Sequence, residues 1–379
     1  MKRCVQCVMP DTRPDLSLDL EGVCNACRSV AAKNSVDWGA RGQEWRDLCG
    51  WAKGEAHRRE NPYDCICAVS GGKDSTFIVL HALAHGLRPL GVSFEPDKMT
   101  PTGQENLENL QDLGCDVVQF KKRRDVYRRM GRAAFETVGD HSWPNHVGIF
   151  TTVVREATLR NTPLILWGEN PQAEYGAPNE SARSNRVLDR AWLEEFGGLL
   201  GLRVRDLVSD HGFSIRDLAP YQWPSVEDLD PVGIRSVFLG YYQRWDTLAQ
   251  VEAMKRRGFR SLPDGAPIGS LWDFENVDDA FVDWHDYLGY VKYGYGRACA
   301  QASIAIRHGY MTRAEGIAEV LLRDGKIPIV GDFAEYLGID PGAVIEICNR
   351  FTNPALFQFN GDRPRRDGDL QLVPKFEVR

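Results

Sequence analysis

No apolar run in the 379 residues approaches the roughly 20 needed to cross a bilayer. Met1-Lys2-Arg3 leads into Cys and Gln rather than an apolar leader segment. Both absences point to a cytoplasmic protein with no membrane partner. Basic charge is also scarce: 46 Lys and Arg against 53 Asp and Glu leave a net charge of −7 and a pI near 5.7. Nucleic-acid phosphates attract basic surfaces, so composition makes no case for a nucleic-acid partner. Ten cysteines are too sparse for a disulfide scaffold in a chain of this length. What is present is ordinary core material: 43% hydrophobic residues, enough for a catalytic domain with appendages.

The pattern along the chain divides it. The first residues are rich in Cys, Pro and Asp and poor in helical periodicity, which sets out a four-cysteine knuckle over 1–35. A polar, Trp-containing connector follows over 36–60, with a helix around Glu44–Ala56. From Tyr63, strand-sized apolar runs (Cys65–Val69, Arg88–Phe94, Val117–Phe120, Leu164–Trp167) alternate with helical patterns at about 74–85, 102–113, 124–138 and 146–160. Such alternation predicts an α/β fold with a doubly wound parallel sheet over 61–200, its site beyond the carboxyl ends of the strands. Past about 180 the strand signal fades. Segments such as Ala191–Phe196, Ser236–Arg256, Asp278–Tyr293 and Thr312–Arg323 read as a mostly helical region over 201–379, and the tail Asp362–Arg379 reads as loosely held.

Two common nucleotide motifs are missing: the chain has neither Walker A spacing nor GxGxxG at its glycine-rich turn. That turn is Ser70-Gly71-Gly72-Lys73-Asp74-Ser75, directly after the first buried strand and before the helix Thr76-Phe77-Ile78-Val79-Leu80. Two glycines allow a tight turn that aims backbone N–H groups at an anion, and the helix N-terminus adds unpaired donors and a favourable dipole. The hydroxyls of Ser70 and Ser75 can add further bonds to phosphate. The six residues resemble the SGGxDS signature of PP-loop ATP pyrophosphatases, a HUP-like fold class whose members cleave ATP between the α- and β-phosphates. Lys73 and Asp74 are then candidate catalytic groups. Ser93-Phe94 and Gly168-Glu169, at two other strand ends, are candidate nucleotide contacts, with Glu169 suited to a ribose hydroxyl or Mg2+.

Cys4-x2-Cys7 and Cys24-x2-Cys27 stand sixteen residues apart, the spacing of a structural zinc site. The other six cysteines (Cys49, Cys65, Cys67, Cys115, Cys299, Cys348) show no such pattern, and Cys65 and Cys67 read as packing groups of one strand. In the second half, Asp283-Trp284-His285-Asp286-Tyr287 runs into Val291-Lys292-Tyr293-Gly294-Tyr295-Gly296-Arg297. Lys292 and Arg297 are candidate phosphate ligands, and His285 is a candidate proton carrier. The basic runs Lys121–Arg124 and Lys255–Arg257 read as solvated helix edges.

Taken together, Cys4-x2-Cys7-x2-Pro10-x-Thr12-Arg13-Pro14, Gly22-Val23-Cys24-Asn25-Ala26-Cys27, the SGGKDS loop, Gly168-Glu169-Asn170-Pro171-Gln172, His285-Asp286-Tyr287-Leu288 through Arg297, and Arg307–Gly316 resemble the N-acetyl sugar amidotransferase family. Its members act in bacterial surface-polysaccharide and nonulosonic-acid pathways. The resemblance implies an acceptor that is a nucleotide-linked acetamido sugar, ATP, Mg2+ and a structural Zn2+ as cofactors, and AMP and pyrophosphate as products. It also implies a separate glutaminase subunit and an ammonia-conducting partner, because no nucleophile elbow surrounds any cysteine and Cys4 is not N-terminal after loss of Met1. Two other readings remain open at this stage: a sulfur transferase that uses the same adenylation on RNA or a small molecule, and a non-catalytic ATP-binding regulator.

Overall fold

The computed structural model describes residues 1–169, 174, 199–229 and 232–358, together with the backbone of 373–374. Five parallel strands form one sheet: β1 (Cys65–Ala68), β2 (Pro89–Phe94), β3 (Asp116–Phe120), β4 (Leu164–Trp167) and β5 (Arg235–Phe238), in the spatial order β3-β2-β1-β4-β5. The first four lie within a residue of where the apolar runs predict them. Arg235–Phe238 is a correction: a stretch expected to be helical pairs with β4 and completes the sheet, which therefore draws on residues past 200. Only Val237 and Phe238 in it are well buried, so its sequence lacks the continuous apolar run that marks an inner strand.

Side chains alternate across the sheet and build two layers. Cys65, Cys67, Val69, Leu164, Leu166 and Val237 face one cluster with the helices Trp38–Arg58 and Lys73–Ala84. Ile66, Leu90, Val92, Ile165, Trp167 and Phe238 face another with the helix Trp143–Leu159. A sheet so covered on both faces is doubly wound. The connector is one long helix, Trp38–Arg58, whose first turn is capped by Asp37 accepting from the Ala40 amide at 2.9 Å.

The C-terminal part is mostly helical. Val282–Tyr293, Val330–Leu337 and Pro341–Phe351 close around Trp284, Leu288 and Phe333. The helix Arg313–Arg323 begins with a capping box between Thr312 and Glu315. Ala191–Phe196 lies outside the described residues, as does the tail Asp362–Arg379 except for Val373–Pro374, which pairs antiparallel with Phe357–Gln358. Among the described residues no helix is long and apolar enough to cross a membrane.

Candidate functional site

The strand order reverses between β1 and β4, since β2 and β3 lie on one side of β1 and β4 and β5 on the other. At such a reversal the connections leave in opposite directions and open a crevice beyond the strand ends. The SGGKDS turn lies there. Gly71 has φ +92°, and a Cβ on it would stand 2.2 Å from the Gly103 carbonyl oxygen, so only glycine fits. Ser70 Oγ accepts the Gly72 amide at 3.3 Å, and Ser75 Oγ donates to the Gly72 carbonyl at 2.8 Å, which together fix the turn at the start of the helix Lys73–Ala84.

Gly168 lies across the crevice, where a Cβ would stand 3.3 Å from Asp74 Cβ. Its neighbour Glu169 is thereby set beside Asp74. Burial, with the Asp74 charge adding to it, pushes the Glu169 carboxyl up to about 8, and burial likewise raises Asp74 against the opposing pull of Lys73. The ammonium of Lys73 pairs with Asp74 at 2.6 Å and with Glu275 at 3.1 Å.

At the end of β2 the two candidates point apart, as strand parity requires. Ser93 is fully buried, and among the described residues its Oγ has no hydrogen-bond partner. Phe94 faces the opposite layer, stacked on Phe120 and pressed onto Gly148, so its ring is core.

Glu275 opens a short wall that the sequence reading does not pick out. Asp278 is hydrogen-bonded to the Ser70 side chain, and burial raises its carboxyl. Between them Asn276, at φ +54°, donates to Asp286 at 3.2 Å, and Asp286 accepts from Arg297 Nε at 3.0 Å. Arg297 also reaches Asn276 Oδ1 at 3.4 Å. Thus Arg297 is joined to the loop through Asn276 and its neighbour Glu275. The density of acid in Asp273-Phe274-Glu275-Asn276-Val277-Asp278-Asp279 is the signal that was available.

His285 and Lys292 gather instead around Asp140. His285 Nδ1 lies 2.9 Å from the Asp140 carboxylate, with the His146 ring centroid 5.2 Å away. Burial opposes charge on both partners, but their mutual attraction wins, holding Asp140 below the usual carboxylate range and His285 above the usual imidazole value. Lys292 donates to the Val138 carbonyl at 3.1 Å, the last residue of the helix Arg124–Val138. It caps that helix, which corrects its expected place beside a phosphate. Lys122 is a second correction: it is buried, paired with Glu95 at 3.2 Å and bonded to the Glu95 carbonyl at 2.7 Å, so the Lys121–Arg124 run is not wholly a solvated edge.

Cys4, Cys7, Cys24 and Cys27 are buried with all four sulfurs within 4.8 Å of one another. Cys4 and Cys27 sulfurs stand 3.8 Å apart, and those of Cys7 and Cys24 stand 3.7 Å apart. Tetrahedral Zn–S bonds of about 2.3 Å separate sulfurs by about 3.8 Å, so the donor set fits one zinc ion. Backbone amides of Cys24 and Cys27 donate to Cys4 Sγ at 3.2 Å and Cys24 Sγ at 3.3 Å, which favours thiolates. Among the described residues no other cluster of ligating side chains converges in this way.

The parallel sheet, the glycine-rich turn at its reversal and the N-terminal cysteines define an α/β protein with a four-cysteine cluster and a mostly helical C-terminal region. Residues 271–366, the stretch that holds Glu275, Asn276, Asp278, His285 and Arg297, match the family model described as "LPS biosynthesis protein WbpG-like, C-terminal domain". A search of curated proteins returned no match. A solved structure of NMN synthetase from Francisella tularensis aligns over 60% of this chain and 99% of its own, at 11% identity and a TM-score of 0.24. Asn170, Pro171 and Gln172 lie outside the described residues.

Proposed function

We propose that the chain is an ATP-dependent amidotransferase that converts the acetamido group of a nucleotide-linked sugar to an acetamidino group, forming AMP and pyrophosphate. One observation carries this reading: the nucleotide loop and the stretch similar to LPS-biosynthesis proteins share one crevice, through Lys73–Glu275 and Ser70–Asp278. A loop of this type, without Walker spacing, suits transfer of AMP.

The loop amides, Ser70, Ser75 and Lys73 hold the phosphates. Asp74, Glu169 and Glu275 are the carboxylates that would hold Mg2+, which supplies charge neutralisation on the departing pyrophosphate. The acetamide oxygen bonds to the α-phosphorus as the bond to the β-phosphate breaks. Nitrogen then bonds to the acetamide carbon, and AMP leaves with the former amide oxygen and its electron pair. The proton lost by the incoming nitrogen goes to His285, whose Nδ1 is oriented by Asp140 and whose other ring nitrogen is left for the acceptor. Arg297 stabilises the sugar diphosphate, with Tyr293 or Tyr295 against the sugar. Ammonia comes from a separate glutaminase subunit through a conducting partner. In favour of this, all ten cysteines are buried, and burial raises the thiols of Cys49, Cys115, Cys299 and Cys348 to about 12, the reverse of an activated nucleophile.

Acceptor labelled with ¹⁸O at the acetamide carbonyl should deliver the label to AMP, and the product should carry NH in place of the oxygen. Label found only in water, or ADP as the nucleotide product, would reject the reading. Catalysis by neutral His285 should rise with pH through an imidazole pKa above its ordinary value, because Asp140 favours the protonated ring. With Asp140→Asn the main partner that favours the charged ring is lost, leaving burial and Arg297 opposed only by Asp286, so the rise should move to lower pH while the maximal rate falls. An unmoved pH profile would remove the pair from the chemistry.

A further inference from the structure

The helix Val282–Tyr293 presents two faces. Trp284, Tyr287, Leu288 and Val291 recur at helical spacing and are buried in the C-terminal core. Val282, His285, Asp286, Gly289, Lys292 and Tyr293 recur at the same spacing on the second face, and all are half-buried, so this face lines a cleft rather than core or open solvent. Its polar and aromatic members have partners on both flanks. On the side of the sheet domain, His285 Nδ1 lies 2.9 Å from Asp140, and Lys292 donates to the Val138 carbonyl at 3.1 Å. On the other side, Asp286 accepts from Arg297 at 3.0 Å, and the Tyr293 ring stacks with that of Tyr295, centroids 6.2 Å apart. Gly289 differs from them: among the described residues, nothing lies within 4 Å of where its Cβ would stand.

A glycine inside a helix destabilises it relative to alanine, so a glycine whose added methyl group would meet nothing has no cause in the packing. Gly50, Gly54 and Gly331 are as open, but they lie on exposed helix surface. Gly289 is half-buried and stands one helical turn, about 6 Å along the axis, from His285 on one side and from Tyr293 on the other. The gap thus runs between a proton acceptor and a pair of aromatic rings, and its length suits one sugar ring. Sugars lay their C–H faces on such rings, while a tyrosine hydroxyl can bond to theirs. We infer that Gly289 floors the groove that receives the acetamido sugar, with the acetamido group toward His285 and the ring against Tyr293 or Tyr295, and that the missing side chain decides which acceptors fit. This rests on the proposal that the acceptor is a nucleotide-linked acetamido sugar.

The test uses the full chain with two probes read by calorimetry, UDP-N-acetylglucosamine for the acceptor and α,β-methylene-ATP with Mg2+ for the nucleotide, beside a thermal melt. Gly289→Ala should melt at or above the wild-type temperature, bind the sugar probe about tenfold more weakly and bind the ATP analogue unchanged. Gly289→Leu should weaken the sugar probe by at least about a hundredfold, again with the ATP analogue unchanged. Gly50→Ala makes the same gain in helix propensity on the exposed surface of the helix Trp38–Arg58 and should alter neither affinity. Wild-type affinity for the sugar probe in Gly289→Leu overturns the inference. So does an equal loss for both probes with a lowered melting temperature, which marks a glycine needed for the fold. Wild-type protein that binds the ATP analogue but not the sugar probe overturns the proposed acceptor class, and the groove assignment with it.

Discussion

Gly71→Ala should lower AMP formation by at least about a hundredfold while leaving the fold intact. Two independent costs fall on that methyl group. The backbone at φ +92° is one that side chains rarely adopt, at about 1–3 kcal/mol. The new Cβ would also stand 2.2 Å from the Gly103 carbonyl oxygen, which cannot retreat freely because Gly103 itself packs within 2.6 Å of Asp278 Cα, measured from the position of a Cβ on it. Relief must come from the loop, and each 1.4 kcal/mol of misplacement costs about tenfold in rate. Gly72 offers a control within the same motif: its Cβ would meet only the Ser70 hydroxyl, at 3.3 Å, so Gly72→Ala should cost clearly less. Steady-state AMP release, read beside the thermal melt of each variant, separates the cases. Full activity in Gly71→Ala would remove the loop from the site.

What was legible in the chain was what short-range spacing encodes. A turn of two glycines between a buried strand and a helix has a local cause, and so does a pair of CxxC motifs. Parity within β2 was also available: Ser93 and Phe94 are adjacent, so they face opposite layers, and only one of them can serve the crevice. Asp140 was not legible, because its bond to His285 spans 145 residues and depends on how the helix Val282–Tyr293 docks on the sheet domain. The same holds for Glu275 and Asp278, whose meaning comes from Lys73 and Ser70. Lys292 shows the converse error: a cation near glycines and tyrosines suggests phosphate, but the helix Arg124–Val138 ends beside it with carbonyls to satisfy. β5 escaped because only its last two residues are buried and no turn signal separates it from the helical stretch that follows.

Cys24→Ala should abolish stoichiometric zinc and lower the melting temperature by on the order of 10 °C, the scale of several kcal/mol in a chain of this size. Cys24 has three tasks at once. Its sulfur stands 3.7 Å from that of Cys7 as one corner of the tetrahedron, it accepts the Cys27 amide as the cap of the helix Asn25–Ala32, and its amide donates to Cys4 Sγ at 3.2 Å. The knuckle's own core is small: among the described residues, the cluster of buried residues that contains its cysteines is completed by Val8, Met9, Leu16 and Ala26 and by Cys299, Ala302 and Val320 of the C-terminal helices. Loss of the metal should therefore loosen the helices Arg297–Arg307 and Arg313–Arg323 as well, since Arg313 is bonded to the Cys4 and Cys7 carbonyls. Cys348→Ala tests whether any buried cysteine would behave alike. It lies in a separate helical cluster, so it should keep a full equivalent of zinc and lose stability only through its small cavity, about 1 kcal/mol. Metal analysis and melting of both variants decide the matter: a Cys24→Ala protein with full zinc and unchanged stability would show that the four sulfurs converge for packing alone.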